Sequence, residues 1–109
     1  MITALVQFKL PQALSHEKAR EIFSGTAPKY REVQGLICKY YILSMDGETA
    51  GGVYLWDSKE NAERLYTDEW KNFISDKYGA LPSVTYFESP VIVDNVTGKI
   101  VTDNNQCGV

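Results

Sequence analysis

The sequence is poor in the residues from which metal, nucleotide and nucleophilic sites are usually built. It contains one histidine, His16, and two cysteines, Cys38 and Cys107. It has no Cys-x-x-Cys pair, no Gly-x-Gly-x-x-Gly motif and no glycine-rich loop ending in Lys-Ser or Lys-Thr. These absences argue against structural zinc, a Rossmann-bound cofactor and bound ATP. We therefore expect neither a metal nor a cofactor.

Cationic charge and long apolar runs are also lacking. Eleven Lys and Arg residues stand against fourteen Asp and Glu, a formal net charge of −3, so no positive field attracts nucleic acid or anionic lipid. The apolar run 2–10 is interrupted by Gln7 and Lys9 and is too short for a membrane span or a signal peptide. We expect no nucleic-acid or membrane partner, and a cytoplasmic protein with reduced thiols.

The histidine and the first cysteine each have a plain structural interpretation. His16 follows Ser15, a natural N-cap, in the first turn of a predicted helix. Cys38 falls in a predicted buried strand, and the neighbouring Lys39 points to the opposite face of that strand. We expect an exposed histidine and an inert, buried thiol rather than a ligand and a nucleophile.

Apolar periodicity predicts alternating strands and helices. Predicted strands cover 2–9, 35–43, 50–56 and 83–88, and 90–93 forms an extension or a fifth strand. A first helix follows Ser15 and breaks near residues 24–27 because of Pro28. A second helical region starts with an Asp57-x-x-Glu60 capping box, restarts at 67–68 and ends at Gly79. The order βαββαβ predicts an α+β, ferredoxin-like fold with a four-stranded antiparallel sheet.

The chain divides into one domain and a tail. Residues 1–95 hold all of these elements, whereas 96–109 show no helical pattern and little apolar content. We expect the tail to be partly disordered or packed on a partner subunit, with 104–109 mobile. Because it begins with Pro90, the segment 90–94 is expected to be an edge strand that crosses to the partner.

The central hairpin carries large side chains on both faces. A turn centred near Gly47 places Tyr40 opposite Tyr54, and Lys39 near Leu55 on the other face; a register shifted by one residue is the alternative. Both helices of a ferredoxin-like unit cover the same sheet face, so the second apolar face needs another layer. A second copy of the chain, related by a two-fold axis, supplies it. We expect a homodimer.

Three segments carry a family resemblance. Gly35-Leu36-Ile37-x-Lys39, then Ala50-Gly51-Gly52-Val53-Tyr54-Leu55-Trp56, and later Gly79-x-x-Pro82 leading to Phe87 resemble the YdhR-like monooxygenase family of the dimeric α/β-barrel superfamily. The resemblance covers about residues 1–95. It implies a homodimer whose two sheets form a barrel, a small-molecule pocket between sheet and helices, and a monooxygenase-type reaction.

Lys39 is the strongest single candidate for a catalytic residue. An ammonium in an apolar strand needs a carboxylate, water at a strand end, or a ligand. It therefore either extends to the surface and forms an ion pair or, with Tyr54, stabilises a substrate phenolate or enolate. We assign Lys39 and Tyr54 as candidate catalytic residues. Six aromatic residues are candidate contacts for a flat aromatic substrate, the alternative being core or interface packing: Tyr40, Tyr41, Trp56, Tyr66, Trp70 and Tyr86.

Two functions follow from these residues and the family resemblance. The first is a cofactor-independent monooxygenase, or a related cyclase or isomerase, acting on a small aromatic or quinone-type compound. The second is a non-catalytic small-molecule binding or stress-response module on the same dimer. Oxygen consumption by the metal-free protein distinguishes the two.

Overall fold

A computed structural model describes residues 1–103 of the chain. The elements are β1 (Ile2–Lys9), α1 (His16–Thr26), a 3-10 turn (Ala27–Tyr30), β2 (Leu36–Leu43), β3 (Thr49–Trp56), α2 (Lys59–Leu65), α3 (Asp68–Tyr78), β4 (Ser83–Glu88), β5 (Val91–Asp94) and β6 (Lys99–Thr102). The first four strands form an antiparallel sheet in the order β2-β3-β1-β4. The predicted ferredoxin-like α+β fold is confirmed. The expected mobility of 104–109, and Cys107, lie outside the described residues.

Helix ends follow local capping chemistry. The Ser15 side chain accepts a hydrogen bond from the Lys18 backbone N–H at 3.1 Å and starts α1. That helix ends at Thr26, where the 3-10 turn containing Pro28 begins, so the predicted break is confirmed. Gly79, at a φ of +92°, closes α3 as predicted.

The predicted capping box at the start of α2 is wrong. The N-cap is Ser58, whose hydroxyl accepts the Asn61 backbone N–H at 3.2 Å. The Asp57 carboxylate lies one residue too early and instead accepts a hydrogen bond from the Asn61 side-chain amide at 2.8 Å. A serine one position later therefore displaces the aspartate as the cap.

The predicted register of the central hairpin is wrong by one residue. Tyr54 pairs with Lys39, and Tyr40 pairs with Val53. The Ser44 backbone N–H donates to the Thr49 carbonyl and the Gly47 N–H to the Ser44 carbonyl, both at 2.8 Å, within the loop 44–48. The pairing of Leu43 with Ala50 centres the hairpin between Asp46 and Gly47. A one-residue slip turns every side chain of β2 to the other face.

This register puts Lys39 under the helices and Cys38 on the opposite face. Cys38 is exposed, which corrects the expectation of a buried thiol. Burial of part of the side chain, with a smaller effect from the Asp94 carboxylate, raises the pKa of the Cys38 thiol. The thiol is consequently protonated near neutrality and unreactive.

The core lies between the sheet and the helices. Two clusters of buried side chains share this layer, one around Tyr54 and Trp56, the other around Phe8 and Phe23. Gly51 is required in β3, because a Cβ atom there would lie 1.8 Å from the Val6 carbonyl oxygen. No helix among the described residues is long and apolar enough to cross a membrane.

The other sheet face has no helix over it. Tyr40 is 61 % exposed and Phe87 is 52 % exposed on this helix-free face. Beyond β4, β5 pairs with β6 in a hairpin through a turn at Asp94. The sequence did not predict β6, because only Ile100 and Val101 are apolar in that polar segment. Whether 90–94 contacts a partner stays a prediction.

Candidate functional site

The ammonium of Lys39 lies among three tyrosine rings. Its Nζ atom is 3.4 Å from the Tyr30 ring centre, 3.8 Å from that of Tyr41 and 4.6 Å from that of Tyr54. Among the residues that the structure describes, it forms no ion pair. The ring faces, which carry partial negative charge, take the place of a carboxylate. We call Lys39 and these three tyrosines the lysine cage.

Strand geometry and one glycine build the lysine cage. Tyr41 lies two residues after Lys39 and therefore on the same face of β2. Tyr54 is the cross-strand partner of Lys39. Tyr30 comes from the 3-10 turn that Pro28 creates after α1. A Cβ atom at Gly52 would lie 2.9 Å from the Tyr54 ring and 3.2 Å from Lys39 Cε. Gly52 therefore leaves the space that the lysine stem occupies.

Hydrogen bonds fix the outer rings of the cage. The hydroxyl groups of Tyr41 and Thr26 are 2.7 Å apart. The indole N–H of Trp70 donates to the Tyr30 hydroxyl at 3.2 Å. The Tyr30 ring meets the Tyr41 and Tyr54 rings nearly edge on, at centre distances of 6.4 and 6.0 Å. These contacts, from α1, α3 and the sheet, hold the rings in place around the ammonium.

Burial sets the protonation of the cage. It lowers the pKa of Lys39 to about 7, since removing an ammonium from water disfavours the charged form. The ring faces act in the other direction and favour the ammonium. Burial raises the pKa of Tyr41 and, much further, that of Tyr54. Both phenols stay neutral, so Lys39 is the group of the cage that exchanges protons near neutral pH.

The lysine cage forms the floor of a cleft between α1, α3 and the sheet, which we call the central cleft. Its walls are apolar and include Phe23, Phe73 and Ile74. The open space is about 20 Å³, which holds about one water molecule. At the mouth, the Lys29 ammonium lies 3.8 Å from the centre of the Phe73 ring and bridges the 3-10 turn to α3. Because the open space is smaller than an aromatic ring, a ligand with two rings enters only when side chains of the cleft move.

The candidate residues from the sequence fall in three places. Lys39, Tyr41, Tyr54 and Trp70 line the central cleft. Tyr40 lies on the helix-free face, because of the register. The remaining three form an aromatic cluster beside the cleft: Trp56, Tyr66 and Tyr86.

Hydrogen bonding and edge contacts connect that cluster to the cleft. The Trp56 indole N–H donates to the Tyr66 hydroxyl at 3.0 Å. The Tyr66 ring contacts those of Tyr54 and Trp70 at centre distances of 5.3 and 5.0 Å. Burial raises the pKa of Tyr66. These residues support the cleft from behind.

Sequence reasoning missed several cleft residues. Tyr30 lies in the segment where the helix breaks, and periodicity assigns no face to such a turn. Phe73 and Lys77 are one turn apart on α3 and both line the cleft; this spacing was a readable signal for a shared face. Tyr78 also lines the cleft, and burial raises its pKa to about 12.

Within residues 1–103 no group of three His, Cys, Asp or Glu side chains is placed to hold a metal ion. His16 is exposed in the first turn of α1, as expected. The cleft itself supplies hydroxyl, indole and amine groups rather than carboxylate or imidazole ligands. Its chemistry is thus that of an aromatic pocket with one partly buried amine.

Comparison with known families gives a match over most of the chain. The family model described as "Putative mono-oxygenase ydhR" matches residues 5–85, which include Lys39, the glycine pair and all of α3. No curated protein sequence matches the chain significantly.

Solved structures share the fold. A monooxygenase from the gene ActVA-Orf6 of Streptomyces coelicolor, in complex with the ligand nanaomycin D, has 20% identity and a TM-score of 0.60, over 81% of this chain and 86% of that chain. A protein from Deinococcus radiodurans, described as a putative antibiotic biosynthesis monooxygenase, has 13% identity and a TM-score of 0.62, over 86% and 97% of the two chains. Rv0793 from Mycobacterium tuberculosis has 15% identity and a TM-score of 0.55, over 82% and 95%. At these identities the likeness establishes the fold.

Proposed function

Since the chain belongs to the ydhR family of mono-oxygenases, we propose that it oxidises a small aromatic or quinone-type compound in the central cleft without a metal or flavin. The observation that supports this proposal is Lys39, an amine without a counter-ion among the described residues, enclosed by three phenol rings. Its pKa of about 7 matches what a general base needs at neutral pH.

The proposed reaction begins with proton transfer to Lys39. The neutral amine takes a proton from an acidic C–H or O–H group of an anthrone or hydroquinone. The resulting ammonium stabilises the substrate anion, and the apolar walls strengthen this attraction by excluding water. For an anthrone, the carbanion passes one electron to dioxygen, and recombination of the radical with superoxide forms a C–O bond. The peroxide anion takes back the proton from Lys39.

Loss of water from that hydroperoxide completes the reaction. The O–O bond breaks, the second hydrogen leaves the carbon, and a carbonyl group forms. One substrate and one dioxygen thus give one quinone and one water. The protein contributes binding, proton transfer and exclusion of bulk water, while the electrons come from the substrate anion.

The three tyrosines have positioning roles in this scheme. The hydroxyl groups of Tyr41 and Tyr54 are neutral, because burial raises their pKa, and can donate hydrogen bonds to a substrate oxygen. Their rings offer faces and edges on which a flat substrate stacks. Tyr54 is therefore proposed as a hydrogen-bond donor rather than a base.

The substrate class is proposed from the cleft and one relative. The cleft is lined by aromatic rings on the sheet side and on the α3 side. The Streptomyces coelicolor structure is described as a complex with nanaomycin D. Both support a fused-ring aromatic compound as the ligand of this chain.

We propose that the protein is a homodimer formed through the helix-free face. The apolar side chains of that face support this, in particular the exposed Tyr40 and Phe87 together with Leu55 and Val53 between them. Exposed apolar patches of this kind usually mark interaction surfaces. The second copy would bury them without covering the central cleft, which opens on the other side of the sheet.

A cytoplasmic location is proposed on the basis of the first cysteine. Cys38 is exposed and free of a disulfide in the described part of the chain. Free cysteines are kept reduced in the cytosol, whereas those of secreted proteins are usually paired in disulfides.

Oxygen uptake tests the proposed function. Protein freed of metal by exhaustive chelation is mixed with anthrone and with naphthalene-1,4-diol, and dioxygen consumption and product are followed. We expect turnover without added flavin or metal, lost in Lys39→Met and largely lost in Lys39→Arg, whose guanidinium stays charged. Lys71→Met, on α3 but outside the cleft, is the matched control. Saturable binding without dioxygen consumption would instead identify a binding module.

A further inference from the structure

The charged side chains of the central cleft are positive, whereas the net charge of the protein is negative. The chain has a net charge of −3, yet two lysines, Lys39 and Lys77, and no carboxylate line the cleft. A third lysine, Lys29, sits at its mouth over Phe73. Among the described residues none of these three ammonium groups forms an ion pair.

The three lysines occupy two levels of the cleft. Lys39 is at the floor, inside the lysine cage. Lys29 and Lys77 are exposed at the mouth. Lys29 comes from the 3-10 turn and lies over the Phe73 ring. Lys77 is one helical turn beyond Phe73 on α3, and its Nζ atom lies 5.9 Å from the centre of the Tyr78 ring. The other lining residues of the cleft are mainly apolar or aromatic.

From this arrangement we infer that the ligand is an aromatic compound with a second, permanently ionised group, a carboxylate, which Lys29 and Lys77 bind at the mouth while the phenol or enol reaches Lys39. This inference rests on the proposed function, because that function supplies the phenol or enol that reaches Lys39 at the floor of the cleft. A neutral ligand would leave both mouth lysines unused, whereas a carboxylate there exchanges the weak Lys29–Phe73 contact for an ion pair. The ligand's own charge therefore favours opening of the mouth.

Binding of a matched pair of compounds tests the inference without any oxidation step. The probes are 6-hydroxy-2-naphthoate and its methyl ester, which have the same rings and phenol, carry the phenol and the carboxyl group at opposite ends of the rings, and differ in charge; calorimetry measures both. We expect the acid to bind about tenfold more tightly than the ester, since each solvent-screened ion pair contributes at most a factor of about five. The double variant Lys29→Gln/Lys77→Gln should bring this ratio close to one by weakening the binding of the acid.

The control is Lys71→Gln, which removes one positive charge from α3 away from the cleft and should preserve the preference for the acid. Equal binding of acid and ester by the unmodified protein, a preference that survives the double variant or disappears in Lys71→Gln, or no binding of either probe would overturn the inference. Acid-selective binding without oxygen uptake from anthrone or naphthalene-1,4-diol would support the inference and contradict the proposed function. Turnover of neutral hydroquinones with no preference for the acid would do the reverse.

Discussion

The Nζ atom of Lys39 lies 3.4 Å from the centre of the Tyr30 ring. This contact joins an edge strand to the 3-10 turn after α1, and a cation over a ring face at this distance is attractive. The same contact encloses the amine, and burial lowers its pKa to about 7. This pair of residues thus contributes both to the wall of the central cleft and to the enclosure of its amine.

The stability of the protein should depend on pH through Lys39. In the unfolded chain its pKa is near 10.4, so between about pH 7 and pH 10 the unfolded state binds more protons and stability rises with pH. The destabilisation from the buried ammonium is full below pH 7. Lys39→Met should therefore be more stable than the unmodified protein by about 1–3 kcal/mol at pH 6, and the gap should shrink by pH 10. Urea unfolding at both values measures it.

A gap that stays constant with pH would contradict this expectation. Lys71→Met serves as the control, because Lys71 is outside the cleft and its removal should change stability equally at both pH values.

The rate of oxygen uptake should rise with pH through the pKa of Lys39. The neutral amine is the reactive form, so kcat/KM should increase about tenfold per pH unit below pH 7 and level off above it. Initial rates of oxygen uptake with anthrone, measured from pH 5.5 to 9, give the profile. An unchanged profile in Lys39→Arg would assign the rise to the substrate's own ionisation.

Gly52 should be needed for the position of Lys39. In Gly52→Ala the new methyl would meet the Tyr54 ring at 2.9 Å and Lys39 Cε at 3.2 Å, which we expect to cost about 1–3 kcal/mol of stability and to displace the amine from the lysine cage. Urea unfolding and the pH profile of the variant report the two effects. The control is Gly25→Ala in α1, where the added Cβ meets nothing within 4 Å and alanine should stabilise the helix by up to about 1 kcal/mol. Similar behaviour of the two variants would contradict the role of Gly52 in packing.

The association state should respond to one face of β3 and not to the other. Val53 lies on the helix-free face and Tyr54 in the core, so Val53→Arg should give a folded monomer whereas Tyr54→Arg should not fold, because it buries an unpaired charge. Sedimentation and circular dichroism distinguish these outcomes. A monomeric unmodified protein at micromolar concentration would refute the proposed dimer.

Much of the fold was determined locally and was therefore readable from the sequence. The positions of the first four strands, the Ser15 cap, the break at Pro28 and the left-handed Gly79 depend on residues close together in sequence, and each was confirmed. The short strand β6 was missed, because its pairing with β5 rather than its own composition defines it.

The site was determined only in part by the sequence. An ammonium in an apolar strand identified Lys39 as unusual, since its desolvation requires compensation wherever it points. The tertiary structure decided which face it occupies: the loop 44–48 shifts the hairpin by one residue from the predicted register, and side-chain direction reverses with each such step. It also brought Tyr30, from the 3-10 turn, and Phe73, from α3, together at the cleft. Contacts between elements far apart in sequence depend on how the helices pack on the sheet. The sequence by itself thus determined that a lysine would need a partner, and the packing decided that the partners are aromatic rings rather than water or a carboxylate.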